Sequence, residues 1–253
     1  MGNVAGSAVG ERAALPGYGR LEGAIPVAYP PGLGEPAAEA RDVLEVGAAA
    51  LSEILDLRTP ELEALLVADE DWGLAPRENE RPYPPGLPYF TRAATPPALV
   101  LPETLSPAFQ PRTATTGALV LWHELAHAYL LREPVPRTPA WLRELLPQAL
   151  CAAAARRTGL PLEEHLRETD RNPGFSVRSF AGRADAEEQM AFQNVLLALG
   201  DAALERFGEG FLRRLAYSLW EQTDIVGEGR AEELLADSLG PGGREWLASR
   251  PEF

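Results

Sequence analysis

The chain has 253 residues, 45% of them hydrophobic and 24% charged, with a formal net charge of −14 at pH 7. That length allows one large domain or two small lobes with a buried core. The acidic balance argues against nucleic acid and anionic membrane surfaces as partners, since both need basic patches.

No run reaches the roughly 18 apolar residues of a membrane span. The first residues lack the basic and apolar regions of a signal peptide, and Gly6 stands where a myristoylation pattern needs Ser or Thr. A cytoplasmic location is the expectation. A single cysteine, Cys151, can form neither an internal disulfide nor a thiolate zinc cluster, and its apolar surroundings suit a buried thiol.

Residues 1–20 are small, Gly-rich and aperiodic and read as a flexible leader. A single domain follows over 21–253, with a sheet-and-helix lobe at 21–110 and a helical lobe at 111–253. Residues 24–29 predict a short strand stopped by Pro30-Pro31-Gly32. Val43, Val46, Ala50, Ile54 and Leu57 fall at helical spacing within 36–57, with Pro36 suited to the first turn. Residues 63–68 predict a strand. A Pro-dense stretch over 81–97 carries one short extended piece at Tyr89-Phe90-Thr91. The apolar run 98–101, bounded by Pro97 and Pro102, predicts an edge strand, open to pairing with an extended peptide. Beyond Pro111 the pattern is helical: a dense apolar helix over 113–131, another capped by Thr138 with Pro139 first, then helices over 184–207, 209–222 and 230–239. Strands with one helix, then helices only, give an α+β order.

The chemistry is concentrated in His123-Glu124-Leu125-Ala126-His127. Residues four apart on a helix project from nearly one face, so the two imidazoles can converge on one ion. Glu124 lies about 100° round the helix, flanking that face, where it can reach a water on the metal and serve as general base. A catalytic zinc needs a third protein ligand and an open position. No third histidine follows closely, which leaves Glu144, Asp185, Glu187, Glu188 and His165 as candidates.

The HELAH helix followed by Pro139-Ala140-Trp141-Leu142-Arg143-Glu144 resembles the gluzincin zinc metallopeptidases, thermolysin-like in the broad sense. The resemblance spans 22–250, and its specific segments are these two. It implies a zincin-like fold, one zinc ion held by His123, His127 and Glu144, and a peptide or protein substrate cleaved by metal-activated water with Glu124 as base. Trp141 and Leu142 are then packing residues. The family's usual glycine and alanine are Leu145 and Pro147 here. Pro147 lacks an amide donor and crowds the Arg143 carbonyl, so a kink near Glu144 is expected. These departures leave a second reading, in which the scaffold has lost hydrolysis and acts as an interaction module. Tyr217, His165, Arg178 and Arg183 are candidate donors to a developing oxyanion. Gln148 is a candidate for orienting the ligands.

Overall fold

The computed structural model describes residues 15–78, 87–105, 114–131, 137–168, 176–179 and 186–253. Five strands form one mixed sheet: β1 (Gly19–Leu21), β2 (Val27–Tyr29), β3 (Glu63–Val67), β4 (Tyr89–Thr91) and β5 (Ala98–Pro102), in the order β1-β2-β3-β5-β4. The central pairs β2–β3 and β3–β5 are parallel, and the outer pairs β1–β2 and β4–β5 are antiparallel. Helices α1 (Gly34–Leu55), α2 (Ala114–Leu130), α3 (Ala140–Thr158), α4 (Leu162–Glu168), α5 (Ala186–Phe207), α6 (Gly210–Trp220), α7 (Glu228–Leu239) and α8 (Gly243–Ala248) account for most of the rest. The α+β class read from the sequence is the class observed. Among the described residues no helix is long and apolar enough to cross a membrane.

The chain divides into two compact units, residues 1–45 with 60–113, and residues 46–59 with 114–253. The first is built on the sheet. Ala28, Leu65, Val67, Ala98, Val100 and Tyr89 form one buried cluster with Trp72 and Ala75. Ala64, Leu66, Leu99 and Leu101, which alternate with them, are equally buried. Burial on both faces is what unbroken apolar runs such as Ala64-Leu65-Leu66-Val67 encode in parallel strands.

Two expectations fail here. The strand at 98–101 is interior: β5 lies between β3 and β4, and β4 is the edge. Its flanking prolines sit at or outside the strand ends, so the residues between them keep their ladder donors. Pro97 still accepts a bond from the Glu63 amide at 3.0 Å. The leader expected over residues 1–20 also stops short of residue 20. Gly19 pairs with Tyr29 in β1–β2, Leu15 and Tyr18 pack on the sheet cluster, and the Tyr18 hydroxyl donates to Asp71 at 2.9 Å. Residues 1–14 lie outside the described residues.

The second unit is helical. Helix α1 has its residues 34–45 in the first unit and 46–55 in the second. Ala37, Ala40, Leu44, Ala48, Leu51 and Leu55 are buried at three-and-four spacing, and Ala50 and Ile54 of the expected stripe are buried beside them. Val46, counted in the apolar stripe from the sequence, is 49% exposed, because it falls on the opposite side. At the end of α1, Asp56 takes a left-handed backbone (φ 57°). The Arg213 guanidinium donates to the Ile54 and Glu53 carbonyls, satisfying acceptors the helix itself leaves free. Helix α3 is buried almost continuously from Trp141 to Ala155. It runs unbroken through Pro147, and its first residue is Ala140, with Pro139 at the cap, one position later than the Thr138 cap expected. Cys151 is buried and its thiol donates to the Leu119 carbonyl at 3.3 Å. Helices α4 and α8 are short and carry no sequence signal that was read.

Two glycines set close helix approaches. A Cβ on Gly47 of α1 would lie 2.2 Å from Trp122 Cδ1, and one on Gly200 of α5 would lie 2.8 Å from the Ala149 Cα of α3. Trp122 is fully buried, so it cannot swing into solvent. Gly47→Ala gains roughly 0.5–1 kcal/mol of helix propensity but forces overpacking that costs about 1–3 kcal/mol. The net expected outcome is a lower melting temperature, by roughly 2–4 °C per kcal/mol lost. Thermal unfolding followed by circular dichroism measures it, and a rise in melting temperature contradicts this packing.

Candidate metal centre

Helix α2 is apolar nearly all round, with Ala118, Leu119, Leu121, Trp122, Leu125, Ala126 and Tyr129 all buried. A helix of this kind is held on several sides, so the direction of its few polar side chains is fixed by packing. Tyr129 adds to this: its hydroxyl donates to the Ala48 carbonyl at 2.8 Å and lies 2.6 Å from Ser52 Oγ.

His123 and His127, one turn apart, meet edge to face with ring centroids 4.7 Å apart and an interplanar angle of 87°. Their Nε2 atoms are 3.1 Å apart. Glu144, in the second turn of α3, brings Oε2 to 3.2 Å from His123 Nε2 and 3.5 Å from His127 Nε2. Pro147 therefore does not carry the carboxylate away from the histidines. Trp141 and Leu142 are buried, and the Trp141 indole donates to Glu228 at 2.7 Å. These contacts hold the start of α3 while leaving Glu144 on its less buried side.

The three donor atoms fit a divalent cation. Tetrahedral zinc with bonds of about 2.0–2.2 Å spaces its ligand atoms about 3.3–3.6 Å apart, and the observed separations are 3.1, 3.2 and 3.5 Å. His123, His127 and Glu144 form the group among the described residues that could hold a metal ion. Two imidazoles and one carboxylate are also the donor number of a catalytic rather than a structural zinc site. Electrostatics couple the three side chains. Burial pushes the Glu144 carboxyl up, but His127 and His123 outweigh it and hold it well below the usual carboxylate range. Burial pulls His127 down, yet the Glu144 carboxylate outweighs that and raises it.

A second layer stands behind Glu144. The Gln193 side-chain amide of α5 donates to Glu144 Oε2 at 3.1 Å, and its carbonyl oxygen accepts from Gln148 Nε2 at 2.6 Å. Gln148 was a candidate orienting residue from the sequence, and it reaches Glu144 through Gln193. Gln193 itself was not read. His123 Nδ1 is buried with no hydrogen-bond partner among the described residues, so the polar contacts described for that ring are made through Nε2, to His127 and Glu144.

The other candidates are placed as follows. Glu124 is half-buried on α2, and its negative charge acts on both His127 and Cys151. His165 lies on α4 and is absent from the cluster. Asp185 and Arg183 lie outside the described residues, as do the side chains of Glu187 and Glu188. Arg178 is committed elsewhere, 2.6 Å from Glu232 and stacked over the Phe253 ring. Tyr217 is 43% exposed and packs edge-on against Trp220.

No protein-family model matches the sequence, and no curated protein matches it either. Among solved structures, yeast LTA4 hydrolase in complex with bestatin shares the fold. The TM-score is 0.57 over 92% of this chain, at 13% sequence identity. The match spans 38% of that chain's length. The likeness is one of fold, to a hydrolase, in a chain whose His-His-Glu cluster could hold a metal.

Metal-depleted protein is expected to take up one zinc ion per chain, measured by competition with a chromogenic chelator. His127→Ala is expected to abolish this uptake. Free zinc at a hundred times its dissociation constant should stabilise the wild type by about 2.7 kcal/mol, and His127→Ala by nothing. Equal uptake by both proteins contradicts the site.

Proposed function

We propose that this chain is a gluzincin-like zinc metallopeptidase, with the metal held by His123, His127 and Glu144 and Glu124 as general base in peptide-bond hydrolysis. The observation that carries the reading is the convergence of one carboxylate oxygen and two imidazole nitrogens within 3.5 Å of one another. They come from the two segments in which the sequence resembles that family. The shared fold with yeast LTA4 hydrolase, solved with bestatin, supports it.

A zinc ion bound there supplies Lewis acidity and lowers the pKa of a coordinated water towards 7. The remaining work falls to the chain's own groups. The histidines and Glu144 fix position and neutralise charge. Glu124 adjoins His123 but lies about 100° away round the helix, which keeps its carboxylate out of the ligand set and assigns it the role of proton acceptor. It then passes that proton to the leaving amine, so one carboxylate serves as base and acid in turn.

Charge bears on the substrate. A net charge of −14 favours the approach of neutral or basic peptides over acidic ones. The interaction-module reading draws on the departures at Leu145 and Pro147; the 3.2 Å separation of Glu144 from His123 supports Glu144 as a ligand, and activity separates the two readings.

Glu124→Gln is expected to keep one zinc per chain and to lose about 10²–10⁴-fold in hydrolysis of a fluorogenic peptide library. Wild-type protein that binds zinc but cleaves no member of the library overturns the peptidase reading in favour of the interaction module. Glu124→Gln activity equal to wild type overturns the role of Glu124.

A further inference from the structure

The hydrogen-bonded pair of glutamines behind the cluster has a chemical direction. Glu144 Oε2 is the atom nearest both imidazoles, and it is also the oxygen that receives the Gln193 amide. An amide nitrogen can only donate and a carboxylate oxygen can only accept. The Gln193 carbonyl oxygen therefore faces away from Glu144, and it is satisfied by the Gln148 amide at 2.6 Å. Were the Gln193 amide turned over, its carbonyl oxygen would face the carboxylate, and the Gln148 N–H would face an NH₂ group. Gln148 thus fixes which way Gln193 presents its donor. Gln148 lies one turn beyond Glu144 on α3 and is buried, so its own position is set by the helix.

The two helices are close enough for this only because of a glycine. Gly200, two turns beyond Gln193 on α5, rests on Ala149, the residue after Gln148. A Cβ there would meet the Ala149 Cβ at 2.9 Å and its backbone nitrogen at 3.1 Å. The Ala149–Gly200 contact sets the α3–α5 spacing at which the glutamines engage.

We propose that Gln193, held by Gln148, is a positioning residue for the metal centre: it fixes the rotamer of Glu144 so that Oε2 faces His123 and His127. The inference rests on the metal-site reading above and adds a residue that the resemblance does not supply. Apart from the two imidazoles and Gln193, the contact described for Glu144 is made by its other oxygen, 3.4 Å from the Arg143 guanidinium, and that arginine is 60% exposed. The imidazole nitrogens are the atoms a bound metal would take, so without Gln193 the carboxylate would lose the amide donor that remains to orient it, and part of the metal-binding free energy would go to ordering it. Groups that orient ligands in this way typically contribute 10–100-fold in metal affinity.

The test uses metal-depleted full-length chain in four forms: wild type, Gln193→Met, Gln193→Ala and Gln148→Met. Methionine keeps the length of the side chain and removes the donor. Alanine is the residue best tolerated in a helix, which guards against a folding defect in the first variant. Zinc affinity is read by chelator competition, and the cobalt-loaded protein is read by its visible ligand-field spectrum, which reports the coordination shell. Melting temperatures of the metal-free forms report folding. Both Gln193 variants are expected to bind zinc about 10–100-fold more weakly, with a changed cobalt spectrum and a metal-free melting temperature close to wild type. Gln148→Met should shift the affinity in the same direction by less. Wild-type zinc affinity and an unchanged cobalt spectrum in both Gln193 variants overturn the positioning role while leaving the metal site standing. Absence of zinc binding in the wild type overturns the metal reading and this inference with it. An affinity loss matched by an equal loss of metal-free stability in both variants overturns it too, since that marks a packing role.

Discussion

Three lone-pair donors are turned towards one another inside the second unit: two imidazole nitrogens 3.1 Å apart and a carboxylate oxygen 3.2 and 3.5 Å from them. Such a group repels itself unless a positive centre sits among the donors. A proton can serve: the Glu144 carboxylate raises His127, and the two imidazoles hold the Glu144 carboxyl down. A divalent cation serves better, because it satisfies all three donors at once. Most of the packing around the cluster can be understood as preventing these donors from relaxing apart. Helix α2 is gripped by apolar contacts, Trp141 ties the start of α3 to Glu228, and the glutamine pair stands behind Glu144.

The same constraint explains where small residues occur. Gly47 admits the Trp122 ring, which adjoins His123, and Gly200 admits the α3 backbone beside Gln148. Each removes a methyl group at a point where helices must approach closely for a ligand or its support to be in place. Larger residues at either position act on the centre through helix spacing rather than by contact. Ion pairs at the surface, such as Arg157 with Glu53 and Glu209, contribute less, since exposed pairs yield only about 0–1 kcal/mol.

How much of this could be read beforehand follows from the range of each interaction. His123 and His127 are related by one helical turn, so a local pattern suffices. Glu144 was found because the segment 139–144 carries its own signature, and its approach to the histidines depends on α3 running on through Pro147, where a kink was expected. Gln193 was invisible. It reaches Glu144 from 49 positions away, glutamine has no special periodicity, and the link depends on a helix spacing set at Gly200. In the sheet, the alternation and length of the strands were legible, but their order was not. Pro97 and Pro102 suggested an edge, whereas β5 became interior because neither proline takes a donor from the residues between them. Val46 was placed in the α1 stripe by spacing alone; the buried row runs through Leu44 and Ala48 instead.

The central claim is that these three donors form one coordination shell. Zinc K-edge X-ray absorption on the zinc-loaded chain tests it most directly. The account predicts four or five N/O neighbours at about 2.0–2.2 Å, with the outer-shell scattering of two imidazole rings, and one imidazole fewer in His127→Ala. A six-oxygen shell without imidazole scattering, or a spectrum unchanged by that substitution, contradicts it.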